Sequence, residues 1–218
     1  MFITFEGIEG SGKTTQISFL DEFLTKKRLP YMITREPGGT NIGEELRRIL
    51  LSSQSAKMEP LTELFLYMAT RAQHVQEIIK PALADGKIVI CDRFSDASIA
   101  YQVYARGFDV QLVKQMNEIA TLGLTPDITI LLDCPVDTGL TRAMERISLQ
   151  TDKGKEDRFE REDKSFHKKV REGYLKIAQE EHKRVIVIDG TKGKDTIHKD
   201  ICDFLLSRII KGRKTGVV

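Results

Sequence analysis

Five short apolar runs punctuate the chain, at Phe2–Phe5, Tyr31–Thr34, Ile88–Cys91, Ile128–Leu132 and Val185–Ile188. Each is too short for a buried helix and is rich in β-branched or aromatic residues, which predicts a strand. Helical spacing fills the longer stretches between them. Ile17, Leu20 and Leu24 mark one face of a first helix. Glu59–Lys80 reads as one long helix stopped by Pro81, whose ring carries no N–H for the helical ladder. Ser98–Ala105 and Val110–Leu122 predict two more. Phe159–Glu181 is charged on one side and carries Phe166, Val170, Tyr174 and Ile177 on the other. Asp195–Ile210 predicts the last helix, with a frayed tail over Lys211–Val218. Strands alternating with helices imply an α/β fold, a five-stranded parallel sheet with helices on both faces. Ligands bind such sheets beyond the C-terminal ends of the strands.

The candidate chemistry falls at those ends. After the first strand comes Gly7-Ile8-Glu9-Gly10-Ser11-Gly12-Lys13-Thr14, which fits G-x-x-x-x-G-K-[ST], the phosphate-binding P-loop, in strand–loop–helix context. Its glycines let backbone N–H groups turn inward, and the following helix N-terminus adds partial positive charge. Lys13 supplies a full charge for the outer phosphates, and the Thr14 hydroxyl is a magnesium ligand in this motif. The second strand runs into Thr34-Arg35-Glu36-Pro37-Gly38-Gly39-Thr40, a loop signal placed for ligand contact. Arg47 and Arg48 follow on the next helix, where reaching an anion and lying solvated are both open. The third strand ends in Asp92-Arg93-Phe94. An apolar strand ending in Asp acts on magnesium directly or through water, and Arg93 suits a phosphate through its planar fork. Tyr67 and Arg71 lie four apart on the long helix and share a face that can meet a nucleobase. Arg142, Arg146, Lys153, Lys155 and Arg158 make the 142–158 segment a basic insert, expected to act as a lid closing over a triphosphate.

Composition changes this picture little. The 218 residues, 40% hydrophobic, suffice for one substantial core, and a single domain is expected. With 34 basic and 32 acidic residues the net charge is only +2, which argues against a nucleic-acid-coating protein. Cys91, Cys134 and Cys202 form neither a close pair nor a metal spacing, as suits a reducing cytosol. No basic leader precedes the first strand and no apolar run approaches membrane-spanning length, so a cytoplasmic location without membrane contact is expected.

Taken together, Gly7–Thr14, Thr34–Thr40, Leu66–His74, Asp92–Phe94 through Ala100-Tyr101-Gln102, and Asp157-Arg158-Phe159-Glu160 resemble the thymidylate kinase family of nucleoside-monophosphate kinases. The resemblance spans almost the whole chain. It implies the P-loop NTPase fold, transfer of the ATP γ-phosphoryl group to dTMP with Mg²⁺, and a homodimer. Residue by residue, it implies that Lys13 and the loop amides bind the ATP phosphates. Glu9 would stand near the deoxyribose 3′-hydroxyl. Arg93 would grip the acceptor phosphate, with Arg35, Pro37 and Arg47 nearby. Tyr67 would stack on thymine, Arg71 would read the base with Ser98 beside it, and Tyr101 would crowd the sugar 2′ position. Gly10 stands where one branch of the family has an arginine, so the charge is expected from Arg142 and Arg146, as in the bacterial branch. Ala97 departs from the family, which has a polar residue there. Another nucleoside-monophosphate or deoxynucleoside kinase is the nearest alternative. A regulatory GTPase would carry Asn-Lys-x-Asp, which is absent, and a nucleic-acid-associated ATPase fits the near-neutral charge poorly.

Overall fold

The computed structural model describes residues 1–149 and 156–214, with side chains through Arg208. All five predicted strands form: β1 (Phe2–Glu6), β2 (Tyr31–Arg35), β3 (Ile88–Asp92), β4 (Ile128–Asp133) and β5 (Val185–Asp189). They pair in the order β2-β3-β1-β4-β5, and every pairing is parallel. Each strand runs one residue past its apolar stretch into a charged residue: Glu6, Arg35, Asp92, Asp133 or Asp189. Because the sheet is parallel, all five charges collect at one edge.

Alternation of side chains across the strands builds a core on each face. Ile3, Phe5, Ile128, Ile130 and Leu132 pack against α1 (Lys13–Lys26) and α9 (Lys194–Lys214). Leu131 and Val185 turn the other way, to α3 (Pro60–His74), α6 (Val110–Thr121) and α8 (Lys164–Glu180). A third cluster joins Phe2, Val89, Cys91 and Phe94 to Val75, Ile79 and Ala82. The remaining helices are α2 (Asn41–Leu51), α4 (Lys80–Ala84), α5 (Ser95–Ser98) and α7 (Val136–Ser148). The expected α/β architecture, with helices on both faces, is the one observed.

Four helix assignments differ from expectation. Pro81 does not stop its helix: a π-helical turn over Val75–Ile79 joins α3 to α4, and Pro81 sits in the first turn of α4. At that position its missing N–H is least costly. The 98–105 stretch is π-helical over Ile99–Ala105 and continues from α5. The helix expected from Phe159 begins only at Lys164, because the Asp163 side chain caps it by accepting the Phe166 N–H at 2.8 Å. At the far end α9 runs to Lys214, beyond the expected Ile210. The rest of the tail expected to fray, 215–218, lies outside the described residues.

Candidate active site

A cleft of about 1200 Å³ opens beyond the C-terminal edge of the sheet, at the ends of β1, β2 and β3. The P-loop forms its floor. Glu9, Gly10, Lys13 and Thr14 face the cavity, while Gly7, Ile8, Ser11 and Gly12 build the turn beneath them. The Lys13 ammonium donates to the Gly7 and Ile8 carbonyls at 3.0 and 3.1 Å, so the loop is folded around it. Burial, with the Arg93 charge nearby, lowers its pKa to about 8.

Gly10 fixes how the loop meets α7. Its φ is +69°, and a Cβ there would lie 1.9 Å from the Gly139 carbonyl oxygen. In turn, a Cβ on Gly139 would lie 2.6 Å from the Glu9 carbonyl oxygen. Loop and helix therefore touch backbone to backbone. The contact sets the bearing of α7, which carries Arg142 and Arg146.

Arg93 follows β3 in a left-handed conformation, φ +70°. Its guanidinium is nearly enclosed, donating to Glu9 Oε1 at 3.0 Å and to the Tyr174 hydroxyl at 2.9 Å, and lies 5.1 Å from the Tyr101 ring centre. The Tyr101 hydroxyl also donates to Glu9 Oε1. Burial pushes the Glu9 carboxyl up, but Arg93 and His167 outweigh it and hold the group well below the usual carboxylate range. Two of these residues escaped sequence reasoning. His167 is fully buried with Nδ1 3.2 Å from Glu9 Oε2. Glu6 ends β1, fully buried, accepting from the Phe94 N–H and the Tyr174 hydroxyl, each at 2.7 Å. Burial and the nearby Asp96 raise its pKa to about 7 against those hydrogen bonds and Arg93. A carboxylate closing an apolar strand just before the P-loop was the available signal for Glu6.

Beyond β2 and β3 the wall of the cleft is a buried polar network. Arg71 is 1% exposed, yet its guanidinium is matched by Glu36 Oε2 at 2.8 Å, Ser98 Oγ at 2.8 Å, Asn117 Oδ1 at 2.6 Å and the Phe94 carbonyl at 3.0 Å. Glu36 also pairs with His74, whose other ring nitrogen meets Thr34. Ser98 thus serves Arg71. Tyr67 lines the same cleft and packs against Phe159, and Ala97 contributes only a methyl group. Arg35 and Arg47 lie at the rim. Arg35 pairs with Glu44, while Arg47 spans from the Pro37 carbonyl to the Glu156 carboxylate at 2.7 Å.

The basic insert divides. Arg146 lines the cleft, 54% exposed, and donates to Glu160. Arg142 is absent from the lining and instead donates to the Gly190 carbonyl at 3.0 Å. Arg158, counted as a basic lid residue in the sequence, is buried and bonded to Glu63 at 2.7 Å and to the Leu50 carbonyl. Releasing it would break a buried ion pair with Glu63, a carboxylate that Arg106 also holds, so Arg158 anchors the segment's end and is not a free lid cation. Lys153 and Lys155 lie outside the described residues.

The acidic edge suits a hard cation. Among the described residues Asp92 Oδ1 is buried without a hydrogen-bond partner, and Asp92 and Thr14 line the same cleft. Among the described residues no three His, Cys, Asp or Glu side chains cluster as a metal cage.

The model of one protein family, described as thymidylate kinase, matches residues 5–201. The thymidylate kinase of Geotalea uraniireducens is 52% identical over 211 residues, covering 97% of this chain and 99% of the relative. That of Geobacter sulfurreducens is 50% identical, covering 95% and 97%. A crystal structure of thymidylate kinase from Ehrlichia chaffeensis superposes with a TM-score of 0.73 at 36% identity, covering 94% of this chain and 98% of that one. A P-loop facing an arginine-walled cleft, and this likeness over nearly its full length, place the chain in the thymidylate kinase family.

Proposed function

We propose that the cleft transfers the γ-phosphoryl group of ATP to dTMP, giving dTDP and ADP, with ATP on the P-loop and dTMP against α3. The observation that carries this assignment is convergence. Lys13, Arg93 and Asp92 line one cavity whose far wall holds Tyr67 and Arg71.

The attacking atom is a phosphate oxygen already ionised at neutral pH, so no general base is needed. Catalysis reduces to alignment and to neutralising spread negative charge. Lys13 and the loop amides hold the donor phosphates. Arg93 grips the acceptor phosphate, supported at the rim by Arg35, Pro37 and Arg47. Glu9 takes the sugar 3′-hydroxyl, and Tyr101, bonded to Glu9, closes the space a 2′-hydroxyl would need. Tyr67 stacks on thymine while Arg71 donates to it. Arg146 neutralises transferring charge from α7, Arg142 braces that helix one turn earlier through the Gly190 carbonyl, and the 142–158 segment serves as the lid. Thr14 and Asp92 would hold magnesium, which supplies charge neutralisation across the donor phosphates when bound.

We assign the working form as a homodimer in the cytoplasm, without nucleic-acid partners. Support for the dimer comes from large apolar side chains left exposed on adjacent helices: Ile42 and Ile49 on α2, Leu61 and Phe65 on α3, and Ile119 on α6 at 75%. Among the described residues no helix is long and apolar enough to cross a membrane. ADP release measured with dTMP, dUMP, UMP, CMP, AMP and thymidine as acceptors tests the substrate. The assignment expects dTMP to be preferred, and strong turnover of another acceptor with none of dTMP overturns it.

A further inference from the structure

We infer that Glu6 and Tyr174 form a buried strut that positions Arg93 for the acceptor phosphate, an inference that rests on the acceptor role of Arg93 proposed above. The strut is continuous. Glu6 Oε2 accepts the Tyr174 hydroxyl at 2.7 Å, and the Tyr174 oxygen accepts Arg93 Nη1 at 2.9 Å. The other oxygen of the same carboxylate, Oε1, accepts the Phe94 N–H at 2.7 Å. One carboxylate therefore holds Arg93 by two routes.

The first route is through the backbone. A left-handed conformation at a non-glycine residue costs roughly 1–2 kcal/mol and persists only where its surroundings fix it. At Arg93 the next amide is pinned by Glu6. The second route is through the side chain. Tyr174 takes one arm of the guanidinium and Glu9 takes the other, at 3.0 Å. Among the described residues no further acceptor engages this guanidinium, so its remaining N–H groups are left to an anion. Tyr174 lies on the face of α8 shared by Val170 and Ile177, where a phenyl ring would satisfy packing. What the tyrosine adds is its hydroxyl, and that hydroxyl goes to Glu6 and Arg93.

Tyr174→Phe keeps the ring and deletes the strut. The value of kcat/KM for dTMP should fall by about tenfold or more, the worth of one hydrogen bond to a charged group. ATP affinity measured without acceptor should not change. A double-mutant cycle separates positioning from mere structure. In an Arg93→Ala background, Tyr174→Phe should cause no further loss. Glu6→Gln keeps one acceptor oxygen and should show the same dependence on Arg93. Wild-type dTMP kinetics in Tyr174→Phe would overturn the strut, and so would an equal loss in both backgrounds. If Arg93→Ala is itself unimpaired with dTMP, the acceptor role of Arg93 falls and the strut falls with it. An impaired Arg93→Ala beside an unimpaired Tyr174→Phe rejects the strut alone.

Discussion

Gly10→Ala adds one methyl group where the P-loop meets α7, and its cost can be worked from two terms. The ideal Cβ lies 1.9 Å from the Gly139 oxygen and 3.1 Å from the Ala143 nitrogen, both of them backbone atoms. Reaching ordinary contact at 3.4 Å requires α7 to retreat by about 1.5 Å. Overpacking of this kind costs about 1–3 kcal/mol. The left-handed backbone, φ +69°, adds about 1–2 kcal/mol for any L side chain. The sum is roughly 2–5 kcal/mol, and at this chain length each kcal/mol lowers Tm by about 2–4 °C. Tm should therefore drop by roughly 4–20 °C. Gly12→Ala is the control. Its φ is +102° and its Cβ would meet open space, so only the backbone term applies. Thermal melting of the two variants side by side isolates the steric term. Because α7 carries Arg146, Gly10→Ala should also lower kcat in a coupled ADP-release assay. A melting loss for Gly10→Ala no larger than that for Gly12→Ala would refute the loop-to-helix contact as the cause.

Arg146→Ala should cut kcat by about a hundredfold or more with little change in the KM for dTMP, as expected when a group acts on transition-state charge. Arg142→Ala, whose guanidinium goes to the Gly190 carbonyl, should cost less, and steady-state kinetics of both variants checks the order. Glu6 gives a pH signature. Its folded pKa is raised from 4.5 to about 7, so between those values the folded state binds more protons and Glu6's contribution to stability declines as pH rises. Urea unfolding of wild type and Glu6→Gln from pH 4.5 to 7.5 should show wild type losing ground with rising pH, and a parallel pair of curves would contradict it. Chelating magnesium should abolish turnover, and Asp92→Asn should raise the magnesium concentration needed for half-maximal rate, as read from a metal titration.

The strands were legible because each is a bare apolar run. Asp92 was legible as the end of the third strand, but Glu6 was not, since hydrophobic patterning ends at Phe5 while the backbone ladder carries on to Glu6. The P-loop was legible because its chemistry is local in sequence. Arg158 was misread for the opposite reason: it looks like one more cation in a basic run, and its partner Glu63 lies 95 positions away. Pro81 misled because a proline ends a helix only where its N–H would have been used. Tyr174 was visible as an apolar position of α8, but the destination of its hydroxyl depends on how α8 lies over the end of β1. Net charge gave no hint of these pairings, because buried ion pairs cancel in the sum.

Arg71 reaches the cleft with its guanidinium already held by Glu36, Ser98, Asn117 and the Phe94 carbonyl. A group so tethered has little rotamer freedom left to lose when a ligand arrives, so the entropy of ordering it was spent when the chain folded. Its rigidity also sets a rule for inhibitor design. A compound that accepts a hydrogen bond where the arginine already stands gains from preorganisation. One that needs the arginine to swing aside must break a buried network, and tighter packing elsewhere on the molecule will not make up that loss.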